Sequence, residues 1–228
     1  MWRDAVLVAG KDLRIEMRSR IVLNQVAPFG LLVLVLFALA LGPAPAPMLR
    51  AAPGLFWVAV LFSTMLAVQR SFAIETADGA GDAMALSGLD SAGIFLGKAA
   101  AIALQLLALE LLLAVGVVLL YGAQIRSIPG LLLACLAGTA GLAAAGTLYG
   151  ALSAGIRVRE TLLPFLLLPV LAPVLLAGTR AWQAALSGGA AVGGSGNTGQ
   201  PWLPLLVVFA VVYLMLGVVI FGSLQEAA

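Results

Sequence analysis

Apolar runs long enough to cross a bilayer recur six times along the chain, separated by short polar or glycine- and proline-rich stretches. A hydrocarbon core of about 30 Å takes roughly 20 residues of helix. The runs Ile21–Leu41, Leu55–Ala73, Ile94–Tyr121, Ile128–Ala154, Leu162–Ala177 and Trp202–Phe221 meet or approach that length. The pattern predicts an all-α, polytopic membrane protein, with one transmembrane domain over residues 1–228. Two spans are irregular. Ile94–Tyr121 is longer than a bilayer needs, which predicts a tilted helix with Lys98 snorkelling at one end. Leu162–Ala177 is short and carries Pro164, Pro169 and Pro173, which predicts a kinked or broken helix whose freed carbonyls are covered by neighbours.

Ahead of the first span, Trp2, Val6, Ala9, Leu13 and Met17 recur every three or four positions and form one apolar stripe. Lys11, Arg14, Arg18 and Arg20 lie largely off it, and Glu16 and Arg20 have the spacing of a favourable helical ion pair. Residues 1–20 therefore read as an amphipathic interfacial helix suited to anionic membrane lipid. A plainer reading is a basic anchor that sets topology. Ala38-Leu39-Ala40 has the small residues of a signal-peptide cleavage site, but the run is too long and Asp4, Asp12 and Glu16 precede it, so an uncleaved span is expected.

Composition agrees with the pattern. The chain is 63% hydrophobic and 10% charged, with a mean hydropathy of +1.13, against about 45–50% and about 25% for soluble proteins. A net charge of +2 spread over several segments gives no nucleic-acid surface. The 12 Lys and Arg residues orient the spans. With the N-terminus inside, nine lie on the cytoplasmic side (Arg3, Lys11, Arg14, Arg18, Arg20, Arg70, Lys98, Arg157 and Arg159). Three remain outside: Arg50, Arg126 and Arg180. Both termini are then cytoplasmic. Outside, Gly42–Gly54 is a proline-rich loop, and residues 178–201 form a flexible glycine-rich one. Inside, residues 74–93 are the one long polar segment between spans.

That inner segment contains Glu75, Asp78, Asp82, Met84, Leu86, Leu89 and Asp90. Asp82 can cap a short helix that carries Met84, Leu86 and Leu89 and ends at Gly88, with Asp90 or Ser91 capping the next span. An acidic and apolar helix in this place offers a docking knob to a soluble partner; the alternative is a solvated linker. Within the membrane, Glu110 stands near the middle of the third span, with Gln105 five residues earlier. An intramembrane carboxyl marks either a functional site or a polar contact between helices. Gly146, Gly150 and Ala154 form a small-residue stripe suited to close helix packing.

Histidine is absent and the single cysteine, Cys135, lies inside an apolar run, so neither a metalloprotease nor a Ser-His hydrolase can be assembled. No Gly-x-x-x-x-Gly-Lys-Ser/Thr loop is present to cradle a nucleotide. A transport subunit, not an enzyme, is expected.

Several segments together resemble the CcmB family, the permease subunits of the ABC-type haem exporter of bacterial cytochrome c maturation. They are Lys11-Asp12-Leu13-Arg14-Ile15-Glu16-Met17-Arg18-Ser19-Arg20, then Arg70-Ser71-Phe72-Ala73-Ile74-Glu75 with Asp78-Gly79, then Ile94-Phe95-Leu96-Gly97-Lys98, then Arg159-Glu160-Thr161-Leu162-Leu163-Pro164 running into Pro169 and Pro173. The resemblance implies a six-helix permease of the ABC-2 type in the bacterial inner membrane, dimeric, with two copies of a CcmA-type ATPase. It also implies CcmC, CcmD and the haem chaperone CcmE as partners, with residues 74–93 as the coupling loop. Gly81, Ala83 and Gly88 stand where the family usually has bulkier residues or a proline, implying a shorter or looser coupling helix. Haem iron is normally held by His, Cys, Met or Tyr. With no histidine, one cysteine, and Tyr121, Tyr149 and Tyr213 at unrelated places, this chain offers no haem site. ATP and haem are therefore expected in partner subunits, and no cofactor in this one. The competing readings are an ABC-2 permease for a lipid or drug, and an ATP-independent proton-coupled carrier built on Glu110.

The charge asymmetry makes one direct prediction. A reporter fused after Glu226 should read cytoplasmic and one inserted within residues 187–199 periplasmic; opposite readings would invert every loop assignment.

Overall fold

The computed structural model describes residues 1–20, 22–42, 45–77, 88–154, 159–187 and 201–227. Within them the chain forms α1 (Trp2–Ser19), a π-helical turn (Val22–Val26), α2 (Ala27–Leu41), α3 (Pro45–Ala77), α4 (Ser91–Tyr121), α5 (Ile128–Ala154), α6 (Arg159–Ser187) and α7 (Trp202–Ala227). Six helices, α2 to α7, carry stretches long and apolar enough to cross a membrane. The chain is a multi-pass, all-helical membrane protein.

Several boundaries differ from those read along the sequence. The fourth span was placed where α5 lies, but three predicted loops are shorter than expected. The segment Gly42–Gly54 is mostly helix: α2 ends at Leu41 and α3 begins at Pro45. Pro45 and Pro47 fall in the first turn of α3, where no intrahelical N–H is required, so they start a helix where composition suggested a loop. At the other end α3 continues to Ala77. The fifth span is neither short nor broken. The helix α6 runs through Pro164, Pro169 and Pro173 and on through Gly178 to Ser187. Its extra turns are held by packing, since the Trp182 ring stacks on Phe56 of α3 with centroids 3.9 Å apart. The backbone N–H groups of Arg126 and Ser127, in the α4–α5 connection, also donate to the Ala185 carbonyl.

The helices alternate in direction. One end of the bundle gathers the α4–α5 connection, the start of α3 and the end of α6. The other gathers α1, the end of α3 and the start of α4. The helix α5 lies at the centre, packed against α3, α4, α6 and α7. Its sequence is rich in glycine, alanine and threonine, so it presents little side chain and lets neighbours approach closely. A Cβ added at Gly146 would lie 2.7 Å from Val68, and one at Gly150 2.5 Å from Phe72. Both glycines of the small-residue stripe therefore seat α3; the side chain of Ala154 lies outside the described residues. Trp57 of α3, fully buried, lies against both Gly138 of α5 and Gly178 of α6.

The helix α4 explains where α1 goes. Its 31 residues extend about 46 Å, well beyond a core of about 30 Å. The excess at its N-terminal end is covered by α1. Gly93 and Gly97 provide the seat: a Cβ at Gly93 would lie 2.8 Å from the Met1 carbonyl oxygen, and one at Gly97 2.6 Å from that of Ala5. Ala5 and Val8 are consequently the buried residues of α1. The predicted stripe lies elsewhere, with Trp2, Val6 and Met17 at 73%, 71% and 78% exposed. The amphipathic pattern is real, but a different face docks to the protein.

Candidate functional site

Two polar constellations stand out in an otherwise apolar bundle. The first lies where α1 crosses the ends of α3 and α4. Lys98, about two turns into α4, is only 1% exposed. It does not snorkel. Its Nζ lies 3.8 Å from Asp12 Oδ2 of α1, donates to Ser71 Oγ of α3 at 3.2 Å, and sits 4.6 Å from the centroid of the Phe72 ring. One turn along, Arg70 of α3 approaches Glu16 of α1 at 3.6 Å and donates to Ser19 Oγ at 2.9 Å. Glu16 thus pairs across the fold, while Arg20 takes a left-handed conformation (φ 50°) that ends α1. Asp12 also lies 3.1 Å from Lys11. Two acids one turn apart on α1 hold one cation from each of α3 and α4. At the start of α4, Asp90 caps the helix by accepting from the Gly93 N–H at 3.1 Å. Its own backbone N–H points to Asp4. The Met1 ammonium beside Asp4 holds that carboxyl below the usual carboxylate range.

This clasp grips both legs of the polar segment predicted to dock a partner. Of that segment's residues, Leu89 is half-buried and Asp90 is exposed. Glu75 lies on α3, with its side chain outside the described residues; Asp78, Asp82, Met84 and Leu86, with the short helix expected there, also lie outside them.

The second constellation is buried at mid-bundle. Glu110 of α4 is 2% exposed and accepts a hydrogen bond from the Thr139 hydroxyl of α5. Cys135, one turn before Thr139 on the same helix, accepts from Trp182 Nε1 of α6 at 3.3 Å. A chain of polar contacts therefore joins α4, α5 and α6. Glu110 Oε2 has no hydrogen-bond partner among the described residues. Gln105 is not part of this group. Five residues place it about 140° around the helix from Glu110, and it lines a small void of about 30 Å³ beside Asp12, Glu16 and Arg70.

Comparison with known proteins decides the family. Residues 3–224 match the profile of the CcmB protein family. The chain belongs to the CcmB family. Among relatives of this family member, the heme exporter protein B of Pseudomonas aeruginosa is 34% identical over 80% of this chain and 82% of its own length. That of Haemophilus influenzae is 33% identical over 77% and 79%, and that of Paracoccus denitrificans 32% identical over 78% and 82%.

In this CcmB-family chain the clasp residues Asp12, Glu16, Arg70, Ser71 and Lys98 were not singled out as a site from sequence. A signal was available: Asp12, Glu16 and Ser19 share one face of α1, and a lysine stands inside an apolar helix. What the sequence withheld was that α1 folds back against α4. Removing one partner of a buried pair costs about 3–5 kcal/mol, whereas replacing both with apolar groups is often neutral. Asp12→Ala should therefore lower the unfolding free energy of the detergent-solubilised protein by about 3 kcal/mol. The double variant Asp12→Ala/Lys98→Leu should recover most of that loss in the same melts.

Proposed function

We propose that this chain is the permease subunit of an ABC transporter complex for haem delivery, converting the work of a separate ATPase into movement of the membrane complex. Its relatives bear the name heme exporter protein B, and the chain has no nucleotide-cradling loop of its own. The observation that carries the reading is the clasp. The two helices that the polar segment connects, α3 and α4, are pinned to each other and to α1 by Asp12–Lys98, Glu16–Arg70 and Lys98–Ser71. A push on that segment would move α1, α3 and α4 as one body and would not be lost in a slack loop.

In this reading both termini and residues 74–93 are cytoplasmic, in the inner membrane of a bacterium. The permease is a homodimer bound to two CcmA-type ATPase subunits, with CcmC, CcmD and CcmE-type proteins handling the haem. Tyr121 and Cys135 support leaving haem ligation to those partners. The Tyr121 hydroxyl is committed to the Leu34 carbonyl at 2.7 Å, and Cys135 is buried beneath Trp182. Glu110 is assigned to helix packing through Thr139. The competing carrier reading rests on its second carboxyl oxygen, which lacks a partner among the described residues.

Two experiments test this. Glu75→Lys, Asp78→Lys and Asp82→Lys place like charge at the rim of the docking segment. Combined, they should reduce copurification of the ATPase by about tenfold or more, with membrane insertion unchanged. Unchanged copurification would remove the coupling role. Separately, Glu110→Gln keeps side-chain volume and hydrogen-bonding capacity, so it should support c-type cytochrome production in a complemented strain. A normally assembled but inactive Gln variant would move the assignment to the proton-coupled carrier.

A further inference from the structure

On α4, Lys98, Ala101, Ile102 and Gln105 follow one another at intervals of three and four and share one face. That face meets α1 and the end of α3 around the void of about 30 Å³. Five polar side chains line it: Asp12 and Glu16 of α1, Arg70 and Ser71 of α3, and Gln105 of α4. The ion pairs of the clasp are long. Arg70 Nε stands 3.6 Å from Glu16 and Lys98 Nζ 3.8 Å from Asp12 Oδ2, beyond the range in which an N–H donates directly to oxygen. Asp12 Oδ2 is itself shut off from bulk solvent and accepts no hydrogen bond from the described residues. A buried carboxylate oxygen in that state carries the full cost of having lost water. Gln105 lies about 10 Å further along α4 than Lys98. It brings an amide to the void from the otherwise apolar stretch Ala99–Leu109.

We propose that this void is a hydration site, holding ordered water that completes the clasp, with Gln105 as its floor. Size, polarity and charge agree on the occupant. A buried water needs about 10–15 Å³ and about three polar partners, and the void provides both. Its charges already balance, since Arg70 and Lys98 answer Glu16 and Asp12. An added ion would bring uncompensated charge into apolar surroundings. An acyl chain would leave the Asp12 oxygen and the Gln105 amide stranded. Water both donates to carboxylate oxygens and accepts from guanidinium and amide groups, and across such gaps it bonds nearly as well as direct contact. The bridged network extends the clasp along α4 toward Glu110 and gives Gln105 a place in it. This site follows from the geometry of the clasp and stands or falls independently of the haem-delivery reading.

The test is radiolytic footprinting of the full chain in lipid nanodiscs, in water enriched in heavy oxygen. Hydroxyl radicals formed from water oxidise the side chains next to them, so a buried residue is modified where water sits beside it. Ile94 and Ile102 are both 1% exposed and lie on the same helix; of the two, Ile102 lines the void. Ile102 should take up solvent oxygen and Ile94 should not. In Gln105→Leu the floor turns apolar, and the Ile102 label should fall to the level of Ile94. Gln105→Asn keeps an amide and should keep the label. Equal labelling of the two isoleucines in the parent would overturn the proposal, whether or not the variants assemble. An undiminished Ile102 label in a folded Leu variant would overturn it as well. Thermal melts of the parent with choline in place of sodium and potassium separate water from an alkali cation. Tm should be unchanged; a fall would assign the void to the cation and overturn the hydration site.

Discussion

Inside a bilayer, helices gain little by hiding apolar surface from one another, because lipid tails are as apolar as leucine. Spans hold together through close approach and through the few polar contacts they can share, and both resources are concentrated on α5. Its glycines bring Val68, Phe72 and Trp57 of α3 against the α5 backbone. Thr139 and Cys135 on the same helix receive Glu110 from α4 and Trp182 from α6. Larger side chains on α5 would separate several neighbours at once, since α3, α4, α6 and α7 all rest on it. The outer helices are less constrained. Only 22% of the residues in the membrane-crossing stretches of α2 and α7 are buried within the chain, so their apolar surfaces remain for lipid or for other protein.

The second requirement comes from Lys98. A cation on an apolar helix must reach water, lose its charge or find an anion. Here it finds Asp12, and that solution recruits a whole helix. To bring Asp12 to Lys98, α1 must approach α4 at backbone distance, which Gly93 and Gly97 permit. Once there, Glu16 and Ser19 meet Arg70 on α3. The buried charge thus joins three helices at the end of the bundle where α3 stops and α4 starts. A buried ion pair is a weak source of net stability but a strong constraint on register, because any slip strands a charge.

The two polar sites are well separated along α4. Glu110 lies twelve residues beyond Lys98, about 18 Å along the helix. One site fixes the geometry of an end, the other ties together the middle. Motion delivered to the clasp would reach Glu110 through the rigid helix α4 and its packing on α5.

Much of this protein could be read from the chain alone, for a physical reason: a lipid environment admits few backbone solutions, so a long apolar run is a helix and the number of such runs is the number of spans. The six spans, the amphipathic start, the Asp90 cap and the family resemblance were all legible. Helix ends were less so, because prolines in a first turn and a glycine held by a tryptophan look like loop in composition and become helix only through position and packing. The role of α1 was decided by tertiary structure. An amphipathic stripe announces that one face meets lipid, but it does not say which other face meets protein. Nor can spacing along the chain reveal that Asp12 and Glu16 have partners more than fifty residues away. Those pairings exist because α3 and α4 bring Arg70 and Lys98 side by side at one end of the bundle, and only the folded arrangement of helices around α5 places them there.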